Sequence, residues 1–211
     1  MHSANQRYVM VFNGEVYNHT ELRAELAQKG HSFRGTSDTE VVVEAVAEWG
    51  ITASVPRLWG MFALAAWDRE TRRLTLVRDR IGEKPLYYHL TSAGLSFASE
   101  LKALAAGRAG RFTIDRDALA SYFRYGYVPA PRTIYRDTWK VLPGTCITFA
   151  PDHPPDVSEY WSAAAAVRDG TTSRLDISDE EAVDHLEALL GDAVSNPADS
   201  RYSDVAEAIT R

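Results

Sequence analysis

Two short clusters in this 211-residue chain carry groups suited to chemistry on a carbonyl: Asn13-Gly14-Glu15 and Ser37-Asp38-Thr39-Glu40. Attack on an amide carbonyl places negative charge on its oxygen, and donors aimed at that oxygen lower the barrier. An Asn carboxamide and a Gly N–H are such donors, because glycine adopts backbone angles that side chains forbid and lets a substrate come close. Asp38, at the start of an expected helix, is held ionised by the positive helix end and offers an anion to an ammonium group. Each cluster also has a plainer reading. Asn-Gly is a common hairpin turn, and acidic residues are frequent in first helical turns. The single cysteine, Cys146, sits in an apolar strand-like run and reads as a small core residue.

The elements that must position these groups follow from pattern. Tyr8–Phe12 reads as a strand ended by the Asn13-Gly14 turn, and a helix follows from His19 to Lys29 with Asn18 as cap and Gly30 as stop. His31–Thr36 reads as a short strand. Ser37-x-x-Glu40 is a capping box opening a helix through Trp49, with Val42, Val43 and Val46 facing the core. After Pro56, strands at Met61–Asp68, Leu74–Arg78, Pro85–Leu90 and Leu95–Ala98 suggest an antiparallel meander. Helices at Ser99–Ala105 and Asp115–Arg124 precede the proline-broken aromatic stretch 125–135, which cannot be a regular helix. Residues 151–177 read as a linker, and Ser178-x-x-Glu181 opens a helix whose Val183, Leu186, Leu189, Leu190 and Val194 form an apolar face. The polar residues after Val194 read as a tail.

Composition narrows the function. With 23 Lys+Arg against 29 Asp+Glu the formal charge is −6, which argues against a phosphate-tracking surface and hence against nucleic acid as a partner. One cysteine excludes an intramolecular disulfide, and six scattered histidines give no zinc-ligand spacing, so no metal site is expected. The longest apolar run, Met61–Trp67, is too short to span a bilayer, and no secretion signal is read. A reducing, cytoplasmic setting fits.

Read in order, Phe12-Asn13-Gly14-Glu15-Val16-Tyr17-Asn18, Ser37-Asp38-Thr39-Glu40, Gly60-Met61-Phe62-Ala63, Arg78-Asp79-Arg80, Lys84-Pro85-Leu86-Tyr87-Tyr88 and Phe97-Ala98-Ser99-Glu100-Leu101-Lys102-Ala103-Leu104 form a series. It resembles the glutamine-hydrolysing asparagine synthetases, whose amidotransferase domain is of the N-terminal-nucleophile type. The resemblance covers residues 7–194 or so. It implies an α+β fold, a four-layer αββα sandwich incomplete at its N-terminal strands, with exposed sheet edges as a consequence.

The same resemblance implies that Asn13 and Gly14 form an oxyanion hole and that Asn13, Gly14, Glu15 and Asp38 bind glutamine. Residues 1–150 are then a partial glutaminase domain, 151–177 a linker, and 178–211 the first helix of a truncated synthetase domain with its tail. The parent reaction is ATP-dependent amidation of aspartate with ammonia from glutamine. Its nucleophile is an N-terminal cysteine, whereas this chain starts Met1-His2-Ser3, and the Ser-Gly-Gly-x-Asp-Ser loop that grips ATP pyrophosphate has no counterpart. The chain alone is therefore expected to be inactive, with ATP and Mg²⁺ belonging only to the missing domain. The alternative is a non-catalytic glutamine-binding or assembly module that works with a separate synthetase subunit; the candidate partners are glutamine, a synthetase-domain polypeptide and a second copy of the chain. Arg78, Asp79, Arg80 and Lys84 are expected to form a structural salt-bridge network, and Tyr125–Pro129 to face a synthetase domain or simply to pack.

Overall fold

A computed structural model describes residues 1–107, 112–173 and 175–195. The expected polar tail lies outside the described residues from 196 onward. Strand β1 (Tyr8–Val16) is followed by α1 (His19–Gln28), α2 (Asp38–Trp49) and the short α3 (Ile51–Ser54). Four strands come next: β2 (Gly60–Asp68), β3 (Arg73–Arg78), β4 (Tyr87–Thr91) and β5 (Gly94–Ala98). Helices α4 (Leu101–Ala106) and α5 (Arg116–Tyr125) lead to β6 (Thr138–Lys140), β7 (Thr145–Phe149), β8 (Asp156–Glu159), α6 (Ala163–Thr172) and α7 (Asp179–Ser195).

Strand alternation gives the layers. One five-stranded antiparallel sheet has the order β1-β2-β3-β7-β8, and a second, three-stranded sheet the order β5-β4-β6. On one face of the larger sheet Tyr8, Met10, Val16, Phe62, Leu64 and Val77 pack with Leu22 and Leu26 of α1 and Val42, Val43 and Val46 of α2. On the other face Ala63, Ala65, Leu76 and Ile147 meet Leu86, Val141, Tyr88 and Phe97 of the second sheet. The helices α4 and α5, with Leu104 and Ala118 buried, cover the remaining side. The result is the expected α+β, four-layer αββα sandwich. Burying these side chains supplies the main stabilisation, about 1.5–3 kcal/mol for each large aliphatic one.

Four local expectations are corrected. Asn13-Gly14 is not a turn: β1 runs on to Val16, with Gly14 opposite Phe62. The expected meander is split, since β3 pairs with β7 while β4 pairs with β5 and β6 in the other sheet. Residues 31–36 are not a strand. Their backbone is tied down by side chains, Glu40 accepting from the N–H groups of Arg34 and Gly35, and Arg23 donating to the carbonyls of Gly35 and Ser37. Glu40 is thereby diverted from its capping-box role, although Ser37 Oγ still caps Thr39. The charges at 78–84 do not pair with one another. Buried Asp79 accepts three loop N–H groups, from Gly82, Glu83 and Lys84, and Arg78 donates to the carbonyls of Gly82, Lys84 and Val141.

The segment after Pro151 carries more structure than its composition suggests. Strand β8 pairs with β7, and α6 follows it. Beyond them the capping box of α7 is reciprocal: Ser178 Oγ accepts from Glu181 N, while Glu181 accepts from Ser178 N. The apolar face of α7 is exposed, from 53% at Val194 to 69% at Leu189. The aromatic residues Tyr125 and Tyr127 are exposed as well.

A charged clasp joins the chain's first residues to α2. Glu44 Oε1 accepts from Ala4 N, its Oε2 lies 3.0 Å from His31 Nδ1, and Glu48 lies 3.1 Å from His31 Nε2. Burial opposes protonation of His31, but the bonds to Glu48 and Glu44 outweigh it and raise its pKa above the usual 6.5. A raised histidine pKa stabilises the fold fully below the unfolded value, and that contribution is lost as pH rises through the folded value. His31→Gln is therefore expected to cost about 1 kcal/mol in urea unfolding near pH 5.5 and much less near pH 9.

Candidate functional site

In an antiparallel ladder the N–H and C=O of one residue point to the same side, and successive residues alternate. Phe62 uses its carbonyl toward β3, accepting from Asp79 N, so its opposite residue Gly14 does not bond β2. The even-numbered residues of β1 thus direct their backbone groups off the outer edge. Contacts along that edge agree. Met10 N donates to Met1 O and Tyr8 O accepts from Ser3 N at one end, and Val16 N donates to Asp38 Oδ2 at 3.0 Å at the other. Between these two plugs, the backbone groups of Phe12 and Gly14 face outward.

Glycine at 14 is required by this packing. Its φ is +151°, and a Cβ there would lie 2.1 Å from Met61 O and 2.6 Å from Phe62 Cα. Asn13, an odd-numbered residue, projects toward the second sheet, where its Nδ2 donates to Ser99 Oγ at 2.9 Å. The two lie at a cleft of ≈ 180 Å³ otherwise walled by apolar residues such as Val11, Ala63, Leu86 and Phe97. Glu15, opposite Met61, shares that face and is half-buried.

Asp38 sits at the first position of α2, whose N-terminal end is held against β1 by the Val16 bond. Its Oδ1 accepts from Thr39 N at 2.6 Å. The hydroxyls of Thr39 and Ser37 also donate to Oδ1, at 3.3 and 3.5 Å, whereas Oδ2 accepts from Val16 N and, with about two acceptor sites per carboxylate oxygen, keeps capacity for a further donor. The structure thus brings Asn13, Gly14, Glu15 and Asp38 to one short stretch of β1 and its edge. Gly14 N and Val16 N face the same way two residues apart, about 7 Å along the strand. Sequence reasoning left out Ser99, because its run of residues reads as scaffold and nothing local links it to Asn13 across 86 positions.

The cysteine is elsewhere. Cys146 is buried in the core against the helical layer, and burial pushes its thiol up to about 12, far from the reactive thiolate range. Ser3 is buried too, its Oγ donating to Asn5 and accepting from Tyr8 N. Among the described residues no group of three or more His, Cys, Asp or Glu is placed to hold a metal ion, and no helix is long and apolar enough to cross a membrane.

Residues 1–161 match the glutamine amidotransferase domain family. The chain belongs to that family. It is 38% identical over 159 residues to asparagine synthetase [glutamine-hydrolyzing] 1 of Bacillus subtilis (strain 168), covering 75% of this chain and 25% of that protein. To asparagine synthetase [glutamine-hydrolyzing] 3 of the same organism it is 36% identical over 156 residues, 74% of this chain and 25% of the relative. The chain thus spans about a quarter of the length of these curated relatives. Among solved structures, glutamine phosphoribosylpyrophosphate amidotransferase from B. subtilis, complexed with ADP and GMP, superposes with a TM-score of 0.50 at 20% identity. That match covers 76% of this amidotransferase chain and 30% of the neighbour, and it supports the shared fold.

Proposed function

We propose that this chain provides the glutamine site of an asparagine-forming system and that, alone, it binds glutamine without hydrolysing it. The observation that carries the reading is the β1 edge, where the outward Gly14 N–H lies about 7 Å along the strand from Val16 N, the group bonded to the Asp38 carboxylate. That spacing is comparable with the span from the α-ammonium to the side-chain carbonyl of an extended glutamine. In this reading Gly14 N–H and the Asn13 carboxamide receive the carbonyl oxygen, and Asp38 with Glu15 receives the ammonium group. Charge that develops on the oxygen during attack would be stabilised by the same two donors, of which the Gly14 N–H is fixed in advance by the strand.

The parent reaction in this reading is ATP-dependent amidation of aspartate by ammonia from glutamine. In this reading ATP and Mg²⁺ are held by the synthetase domain, and no step is assigned to either group here. A synthetase polypeptide is the proposed partner. The exposed apolar stripe of α7, Val183 to Val194, supports that assignment because a stripe of this width on a helix ordinarily faces a core. A homodimer is the competing assembly, and light scattering of the chain with and without the partner separates the two.

Isothermal titration of the 211-residue chain with glutamine tests the reading. Saturable 1:1 heat is expected, with no ammonia released in a coupled glutamate dehydrogenase assay. Absence of binding would overturn the glutamine site, and ammonia release above an Asn13→Ala control would overturn the inactivity.

A further inference from the structure

We infer that Ser99 is the positioning residue for the Asn13 carboxamide, an inference that rests on the glutamine site proposed above. Asn13 is exposed on the strand face that looks toward the second sheet, and an exposed carboxamide on a χ2 torsion has no strong preference of its own. In the cleft at that face the lining side chains are apolar except for two, Asn13 and Ser99, and these two bond each other at 2.9 Å. The neighbouring walls, Val11, Ala63, Leu86, Phe97 and Ala98, offer no side-chain donor or acceptor to compete.

The geometry determines what remains free. An Asn side chain has two N–H donors and one carbonyl. With one N–H given to Ser99 Oγ, the second N–H is left for a ligand oxygen and the carboxamide is held against rotation. Ser99 itself is fixed from both sides, since it joins β5 to α4. Leu104 of that helix is buried, and Phe97 packs on the core between the sheets. A residue of the second sheet thereby sets the orientation of a donor carried by the first. Loss of the hydroxyl would release the carboxamide to swing, and its dipole could then present oxygen to oxygen.

The test compares Ser99→Ala, Ser99→Thr and Asn13→Ala in the full chain. Titrations use glutamine and norvaline, which lacks the side-chain carbonyl. Ser99→Ala is expected to weaken glutamine about 5- to 10-fold, the loss of one hydrogen bond, and to leave norvaline unchanged. Ser99→Thr should restore the glutamine value, and thermal melting should show all variants folded. In parallel, the Asn13 side-chain NH₂ signals in ¹⁵N–¹H spectra of the free protein should shift in Ser99→Ala and return in Ser99→Thr.

Equal weakening of glutamine and norvaline, or unmoved Asn13 signals, would overturn the positioning role while the glutamine site stands. Failure of the unmodified chain to bind glutamine would overturn that site. The NMR comparison in the free protein would then still decide whether Ser99 orients Asn13.

Discussion

Asp38→Asn is expected to weaken glutamine binding about 10- to 100-fold without loss of fold. A hydrogen bond to a charged group contributes about 1.5–3 kcal/mol, and 1.4 kcal/mol is a factor of ten in affinity. The substitution keeps the shape and one carbonyl oxygen, so the bond that Asp38 accepts from Val16 N can persist and α2 stays docked on β1. What disappears is the negative charge that an ammonium group would meet. Titration calorimetry on the folded variant, verified by circular dichroism, measures the change. Unaltered affinity would move the ammonium site away from the end of α2.

Gly14→Ala has the largest expected effect on stability, on the order of 3–5 kcal/mol, from overpacking together with a forbidden backbone angle. The added methyl would overlap the backbone of β2 at Met61 O, 2.1 Å away, where no flexible side chain can yield. Gly94→Ala is the matched control. Gly94 has a φ of +135° but nothing within 4 Å of its Cβ position, so only the conformational strain applies, about 1 kcal/mol at the low end of the range for strained backbone. Urea unfolding of both variants separates steric clash from strain. If the two lose equal stability, contact with β2 is not what demands glycine at position 14.

Much of the scaffold was legible because its elements obey local rules. The spacing of Leu22 and Leu26 placed α1, and the valine run of α2 placed the helix that now has Val41, Val42 and Val43 fully buried. Asn13-Gly14 misled as a turn because that dipeptide signal is local, whereas the decision belongs to β2, which pairs with β1 through nine consecutive partners. The strand expected at 31–36 failed for a similar reason. Its apolar alternation is weak, and the side chains of Glu40 and Arg23 take its backbone groups. At the site, residue identity was readable and arrangement was not. Asn13, Gly14, Glu15 and Asp38 stand out by type, but the Asp38–Val16 bond and the Asn13–Ser99 bond join distant positions, and no spacing in the sequence encodes them.

The two plugs on the outer edge of β1 also bear on how the molecule behaves in company. An unprotected edge strand is a template for another chain, and growth of such pairing leads to fibres or precipitates. Here Met1–Ser3 occupy one end of the edge and Asp38 the other, and the outward backbone groups of just Phe12 and Gly14 remain between them. In the proposed reading that window takes a small ligand with one carbonyl and one ammonium group, and it is too short to seat a foreign strand. The bonds that would frame the proposed site also keep this one edge from recruiting neighbours.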